Sequence, residues 1–451
     1  MIFAASLPRF KAFLGDGAQK ASDLTSALLL IARFLLPVAR RSVAGAAHAL
    51  LEEAKDAGWL LRWLGSSTAP QALLAAAQRR LHDTAQARPD GLHVLVLDAT
   101  QHGQQGRHAQ NTFACGNRQP RPRKSDHYQR PVHRKSGHLL VFALLLTPCG
   151  LRIPYWLPYY TEDFCALFGR QHLTQASLAA QRVDTVVVAA PARVVVVGDT
   201  AFEAKQVRAA CARRGWSWVV PLNPERRLAG RKGGRAKVRS LYPSLSAPDF
   251  RKVSFRPDQG AQAEQARVSP KRSRPGTPLR TYWVHHRTAA VHNVGDVALL
   301  FSTRKDPNTP GGVVVQKVLI SNALTATTGE LLRWYALRWQ VELFFKECKS
   351  GLGMCQYKTG LFARVVGWVN LNLVAFCYLE GYRRQRQAQA KGSEQPLWRG
   401  LRTAGLKEQI RQQVQRADLE EMLRLAATAE GQQRLAGLLE KMGKERAPAA
   451  A

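Results

Sequence analysis

The spacing of apolar and polar positions changes character several times along the chain. Over residues 1–90 apolar side chains recur at helical spacing. Leu61–Leu64 and Pro70–Leu81 form such stretches, the second following the cap-type residues Ser66, Ser67 and Thr68. Leu24–Ala39 is apolar but carries Arg33 and Pro37, so it reads as a buried helix rather than a membrane span. The period then shortens. His93–Leu97 (HVLVL) is a short apolar run closed by Asp98, His138–Leu146 (HLLVFALLL) is a second run, and Leu151–Leu157 a third. Gln171–Arg182 returns to helical spacing. Val194–Val197 (VVVV) is a fourth strand, running into Gly198-Asp199; Phe202–Arg214 is a helix, and Trp216–Pro221 a fifth strand. Unbroken apolar runs of this length suit strands covered on both faces. Three strands, helix, strand, helix, strand predicts an α/β layer with helices on a mixed sheet.

From Asn223 to about Leu324 the pattern changes again. Strand-like runs at Thr281–His285, Val297–Ser302 and Val313–Ile320 are set among Pro, Gly, Arg and Lys. The segment is too long for a loop and reads as a β-rich insertion. An amphipathic helix is expected near Gly329–Gly351 and another near Ala363–Arg383, followed by a polar helical tail with Leu419, Leu423 and Leu438 as its apolar points. The resulting organisation is a helical region over 1–90 and a core in two parts, 91–222 and 325–384. A basic β-rich insertion, 223–324, separates those parts, and a helical tail, 385–451, closes the chain.

Charge narrows the partner. Lys and Arg total 66 against 32 Asp and Glu, a formal +34. Within Asn223–Ile320 the count is 19 against 6. Such an excess favours a polyanion; nucleic acid, an RNA scaffold or an anionic membrane surface would all satisfy it. Seven dispersed cysteines without a CxxC pair indicate neither a zinc ribbon nor a disulfide framework and suit a reduced cytoplasm. Cys348 and Cys377 read as core positions. No secretion signal is legible in the first 20 residues. The stretch Arg107–Lys135 carries eight Lys and Arg against the single acid Asp126, with His108, His127, His133 and Tyr128 interleaved. That mixture suits contact with a nucleic-acid backbone and bases, or simply a solvated basic loop. Its irregular spacing argues against a zinc site built with Cys115.

The chemistry concentrates in Tyr335-Ala-Leu-Arg338-Trp-Gln-Val-Glu342-Leu-Phe-Phe-Lys346-Glu-Cys-Lys349. At about 100° per residue, Tyr335, Arg338, Glu342, Lys346 and Lys349 share an arc of about 80°, while Leu337, Val341, Phe344 and Cys348 gather opposite. One face is therefore buried, and the other presents a carboxylate among three cations and a tyrosine. By itself this could be an ordinary solvated face with an i,i+4 pair such as Glu342–Lys346. Asp98 and Asp199, each ending an apolar run, change the weighing. A lone strand-end Asp is usually a turn former or a helix N-cap. Two of them on one sheet edge plus a helical Glu supply three hard oxygen donors. Such a set suits Mg²⁺ or Mn²⁺, and a pair of ions can drive in-line phosphoryl transfer.

The Tyr-(2)-Arg-(3)-Glu-(6)-Lys spacing, with Val96-Leu97-Asp98-Ala-Thr100 and Val197-Gly198-Asp199-Thr200 upstream of it, resembles one large branch of bacterial insertion-sequence transposases. The resemblance covers about Leu92 to Tyr382. It implies a ribonuclease-H-like mixed-sheet core of the kind found in retroviral integrases, interrupted by the insertion. It implies that Asp98, Asp199 and Glu342 hold two catalytic Mg²⁺ or Mn²⁺ ions. Tyr335, Arg338 and Lys349 would contact transposon-end phosphates, and Lys346 lies on the same face. It also implies double-stranded DNA, as inverted-repeat ends and target, as the partner, a homodimer in the DNA complex, no membrane, and a place in the bacterial cytoplasm. Some relatives flip a base onto a tryptophan of the insertion. Trp283 is the one Trp in that segment here, and core packing is the simpler expectation for it.

Overall fold

The computed structural model describes residues 7–15, 20–35, 46, 56–66, 68–86, 91–104, 109–115, 135–188, 193–229, 236–255, 280–310, 312–390 and 403–446. Most of the basic stretch 107–135 lies outside them. The chain forms two compact units, one of residues 85–105 and 111–343, the other of residues 1–84, 106–110 and 344–451.

The first unit is built on one ten-stranded sheet. Its strands in chain order are β1 (Leu92–Gln104), β2 (Phe113–Cys115), β3 (Lys135–Leu146), β4 (Arg152–Pro158), β5 (Arg193–Gly198), β6 (Ser217–Pro221), β7 (Arg251–Phe255), β8 (Arg280–Val291), β9 (Gly295–Thr303) and β10 (Lys317–Ser321). β3 runs antiparallel to both β1 and β4, while β1, β5 and β6 are mutually parallel. The spatial order β4-β3-β1-β5-β6 with these directions is the ribonuclease-H-like arrangement. The apolar runs explain it. Val94–Leu97 and Val194–Val197 are essentially inaccessible, as expected of strands at the centre of a sheet covered on both faces. Parallel pairing needs crossovers, supplied by the helices Gln175–Thr185 and Lys205–Arg213. Thr174 caps the first of these, its hydroxyl accepting from Ser177 N–H. The tight β3–β4 turn is closed by Thr147 and by Gly150 at a φ of 84°, a conformation that favours glycine.

The described strands of the basic segment after β6 join the core sheet. β10 pairs antiparallel with β6, through Leu319↔Pro221, Ile320↔Val220 and Ser321↔Val219, and β9, β8 and β7 follow as a meander. The expected β-rich insertion is therefore an extension of the core sheet. An uncovered β6 edge would leave its N–H and C=O groups without partners, and Val318–Ile320, at 0–2% exposure, supplies a strand apolar enough to cover it. Trp283, in β8, is half-buried, with the Lys252 ammonium 5.9 Å from its ring centroid.

The second unit is helical. The helix Phe362–Gln389 runs through it, buried along most of its length, and packs against Ala21–Leu35 and Ala57–Gly65. It is long and apolar enough to cross a membrane, but 83% of its apolar window is buried within the protein. A Cβ at Gly367 would lie 2.0 Å from the Leu64 carbonyl oxygen, so only glycine permits this close approach. Phe34 meets Trp368 edge-on at 4.9 Å, and Trp63 Nε1 donates to Asp23 at 2.7 Å. The N-terminal helices thus share a core with Phe362–Gln389 and with the helix Thr403–Ala426. Cys348 and Cys377 are fully buried, as the sequence predicts, and Leu438 is largely buried, whereas Leu419 and Leu423 are exposed.

Candidate active site

The sheet brings the two aspartates together. Parallel pairing of β1 with β5 ends at Leu97↔Gly198. Asp98 and Asp199 are the next residue on each strand, and Asp199 keeps an extended backbone, with φ −86° and ψ −175°. Neighbouring strands lie about 4.8 Å apart, and residues in register on parallel strands project to the same face. Asp98 is not at a strand end, as the sequence suggested. β1 continues to Gln104 because β3 stays paired with it as far as Gln104↔Ser136. What ends at Asp98 is the parallel partner, which opens a notch beside a continuing strand. Asp199 caps the short 3₁₀ turn Thr200–Phe202, its Oδ1 accepting from Ala201 N–H at 2.9 Å. The capping role and a ligand role are compatible, since a carboxylate has two oxygens.

The third carboxylate arrives on an interrupted helix. A capping box between Thr327 and Glu330 starts Thr328–Ala336. The helix then tightens: Arg338 N–H donates to Tyr335 O, Gln340 N–H to Leu337 O and Val341 N–H to Arg338 O, all i to i−3 bonds. Trp339–Lys346 resumes as α-helix, and Glu347–Gly351 is a π turn. The single regular helix expected over Gly329–Gly351 is therefore three segments, and a uniform 100° wheel misplaces residues across each junction. The wheel's grouping of Arg338 with Glu342 survives. Arg338 Nη2 donates to Glu342 Oε1, and Arg338 Nη1 to Asp98 Oδ2 at 3.2 Å. One guanidinium spans two of the three carboxylates; the resemblance implies a phosphate contact for Arg338 and a metal-ligand role for Glu342, and the Arg338–Glu342 pairing was not foreseen.

Electrostatics tie all three acids together. Burial pushes the Asp98 carboxyl from the usual 3.8 up to about 6. The Ala99 N–H bound to its Oδ1 opposes the rise, the charges of Asp199 and Glu342 add to it, and Arg338 counters it. Above about pH 6 Asp98 is ionised in both folded and unfolded chains, and the folded state carries the cost. Below about pH 4 it is protonated in both, and the cost is gone. Folded stability should therefore fall as pH rises from about 4 to about 6. Asp98→Asn should stabilise the metal-free protein by about 1–3 kcal/mol at pH 8, with the gap closing below about pH 4. Denaturant unfolding across that range checks this; a variant less stable than wild type at pH 8 would contradict it.

Tyr335, for which the resemblance implies a phosphate contact, lies beside Lys317. Its hydroxyl accepts from Lys317 Nζ at 3.1 Å, and that ammonium lies 5.0 Å from the Tyr335 ring centroid. Both line a groove of about 460 Å³ with Arg280, Arg304, Arg338 and Trp339. Arg304 also lies over the Tyr282 ring, 5.6 Å from its centroid. Apart from Arg338, the groove cations were legible in the sequence only as a collective excess, because strand register decides which of them converge. Lys346 and Lys349 belong to the second unit, where Lys346 is exposed and the Lys349 ammonium lies 5.9 Å from the Phe345 ring centroid. A residue not singled out by the sequence, Glu203, braces the turn after Asp199. Its buried carboxylate receives Arg208 Nη1, and Arg226 Nη2 at 2.6 Å. Arg208 in turn donates to the Asn293 carbonyl at 3.0 Å. A single acid among arginines, four residues past Asp199, is the signal that marks it.

The donor set suits a hard divalent cation: three carboxylates, one of them raised chiefly by its burial and further by the charges of the other two. Among the described residues, no three His, Cys, Asp or Glu side chains are gathered tightly enough to hold an ion as they stand. The Arg338 guanidinium donates to both Asp98 and Glu342.

Residues 172–376 match the family model described as a transposase DDE domain. The match includes Asp199 and Glu342; Asp98 lies upstream of it and is placed by strand register alone. No curated protein matches the chain. Among solved structures, a piggyBac transposase synaptic complex with hairpin DNA aligns with 93% of this chain and 78% of its own, at 10% identity and a TM-score of 0.41.

Proposed function

We propose that this chain is a DDE-type transposase that cuts DNA at the ends of a bacterial insertion sequence and joins them to a target. The observation that carries the reading is the convergence of Asp98, Asp199 and Glu342 from two adjacent parallel strands and a helix, with Asp199 and Glu342 inside the segment where a transposase domain matches and Asp98 brought to them by strand register. Asp98, Asp199 and Glu342 would hold two Mg²⁺ or Mn²⁺ ions, which when bound supply Lewis-acid activation of the attacking and leaving oxygens. The protein's own part is placement. The end of the β1–β5 pairing fixes the two aspartates side by side, and the tightened turn at Arg338 aims Glu342 towards them. The Glu203 brace holds the turn that carries Asp199. Arg280, Arg304 and Lys317 would track the DNA backbone along the groove, while Tyr335 and Trp339 offer ring faces to bases. Arg338 would meet a phosphate near the cut; Lys346 and Lys349 are proposed as further backbone contacts. The DNA-bound form is proposed to be a homodimer in the bacterial cytoplasm, with the N-terminal helices contributing to end recognition.

The test is cleavage of linear duplexes bearing the inverted repeats that flank the coding gene. Purified protein with Mg²⁺ should nick at the repeat boundary and insert the released 3′ ends into plasmid DNA, leaving scrambled-end duplexes intact. Metal-dependent cleavage that ignores the repeats would identify a nuclease on the same core, and binding without any cleavage a silent DNA-binding protein.

A further inference from the structure

Arg338 stands where two functions compete for it. The oxygens that accept its guanidinium, Asp98 Oδ2 and Glu342 Oε1, belong to carboxylates that a shared cation would need. One guanidinium charge meets two carboxylates, and the charge of Asp199 acts on Asp98 as well, so the pocket still favours further positive charge. The same side chain lines the groove beside Arg280, Arg304, Lys317 and Tyr335, and it is about one-fifth exposed, so rotation about its own bonds would carry the guanidinium from the carboxylates to the groove. Its backbone lies in the tightened turn between two helical segments, at the mouth of both.

From this we infer that Arg338 is a resident counter-cation. In the metal-free enzyme it holds Asp98 and Glu342 apart at the width of a guanidinium. An entering divalent ion displaces it, and the freed guanidinium is then available to a DNA phosphate. The inference rests on the proposed metal-binding role of the three carboxylates. It adds to that role a coupling: metal and DNA each release Arg338 from the state that disfavours the other, so each tightens binding of the other by the same factor. Arg338 is thus a positioning residue for the carboxylates before it is a contact to substrate.

The test is calorimetric titration of Mn²⁺ into full-length, DNA-free protein, comparing wild type with Arg338→Gln, Arg338→Lys and Glu342→Gln. Loss of a competing charged hydrogen bond predicts Mn²⁺ binding about tenfold to a hundredfold tighter in Arg338→Gln. Arg338→Lys keeps the charge but cannot span both carboxylates and should fall between. A second readout is the affinity for an end duplex with and without Ca²⁺; the gain from Ca²⁺ should be larger in wild type than in Arg338→Gln. Unchanged or weaker Mn²⁺ binding in Arg338→Gln overturns the inference, because Arg338 would then be neutral to the ion or helping to hold it. Arg338→Lys matching wild type also overturns it, since charge alone and not the spanning geometry would be at work. Failure of the underlying reading looks different: Glu342→Gln would bind Mn²⁺ as tightly as wild type, whatever the Arg338 variants do.

Discussion

Glu342→Gln is expected to lower cleavage of end DNA by at least about a thousandfold at saturating Mg²⁺ while leaving the fold and most of the DNA affinity intact. The size follows from the role. A ligand shared with the reacting centre is needed in full in the transition state, and an amide oxygen is a poorer ligand for a hard cation than a carboxylate. Retention of the fold follows from the surroundings. The Glu342 side chain is 35% exposed, and the Gln carbonyl can still accept from Arg338. Asp98→Asn and Asp199→Asn should reach the same floor, and pairwise combinations should fall no further, because the three act on one centre. Single-turnover cleavage beside a thermal melt checks both halves. Wild-type rates in Glu342→Gln would remove the carboxylate from the mechanism; a collapsed melt would make the residue structural.

The outcome bears on what sequence alone could convey. HVLVL and VVVV announced strands covered on both faces, and the acids that follow them lie side by side as the pattern implied. The reason is local: apolar runs record burial, and parallel strands in register put equivalent positions next to each other. The length of β1 was not legible, because the polar residues Thr100–Gln104 remain strand only through pairing with β3, a partner about forty residues away in the chain. Nor was the single sheet. β10 joins β6 across about a hundred residues, and no local periodicity encodes such a pairing. The signature helix shows a third limit. A helical wheel presumes constant geometry, and the tightened turn at 337–341 and the π turn at Glu347–Gly351 both break it. The i,i+4 relation of Arg338 and Glu342 was readable. That Asp98 completes the bridge from 240 positions upstream was not.

The second large effect concerns the groove. Replacing Arg280, Arg304 and Lys317 together by Ala should weaken binding of an end duplex about a hundredfold at low salt. If each cation neutralises one phosphate, the slope of log affinity against log salt should become shallower by about 0.9 per residue, about 2.7 for the three. The fold should hold: all three lie at the groove rim, and the buried strand residues beneath them, Phe301 and Val318–Ile320, are untouched. Arg170→Ala is the control. It is an exposed cation resting on Tyr160, just after β4, at the opposite end of the sheet from β8 and β9. Its loss should leave the salt slope unchanged. Lys317→Ala alone is informative in a second way, because Lys317 also steadies Tyr335 through a hydrogen bond and its ring face. It should change the salt slope by one contact and also slow cleavage, whereas Arg304→Ala should change the slope alone. A triple variant that binds with wild-type salt dependence would mean that DNA does not follow this groove, and that the positive charge of the β8–β10 extension serves some other polyanion.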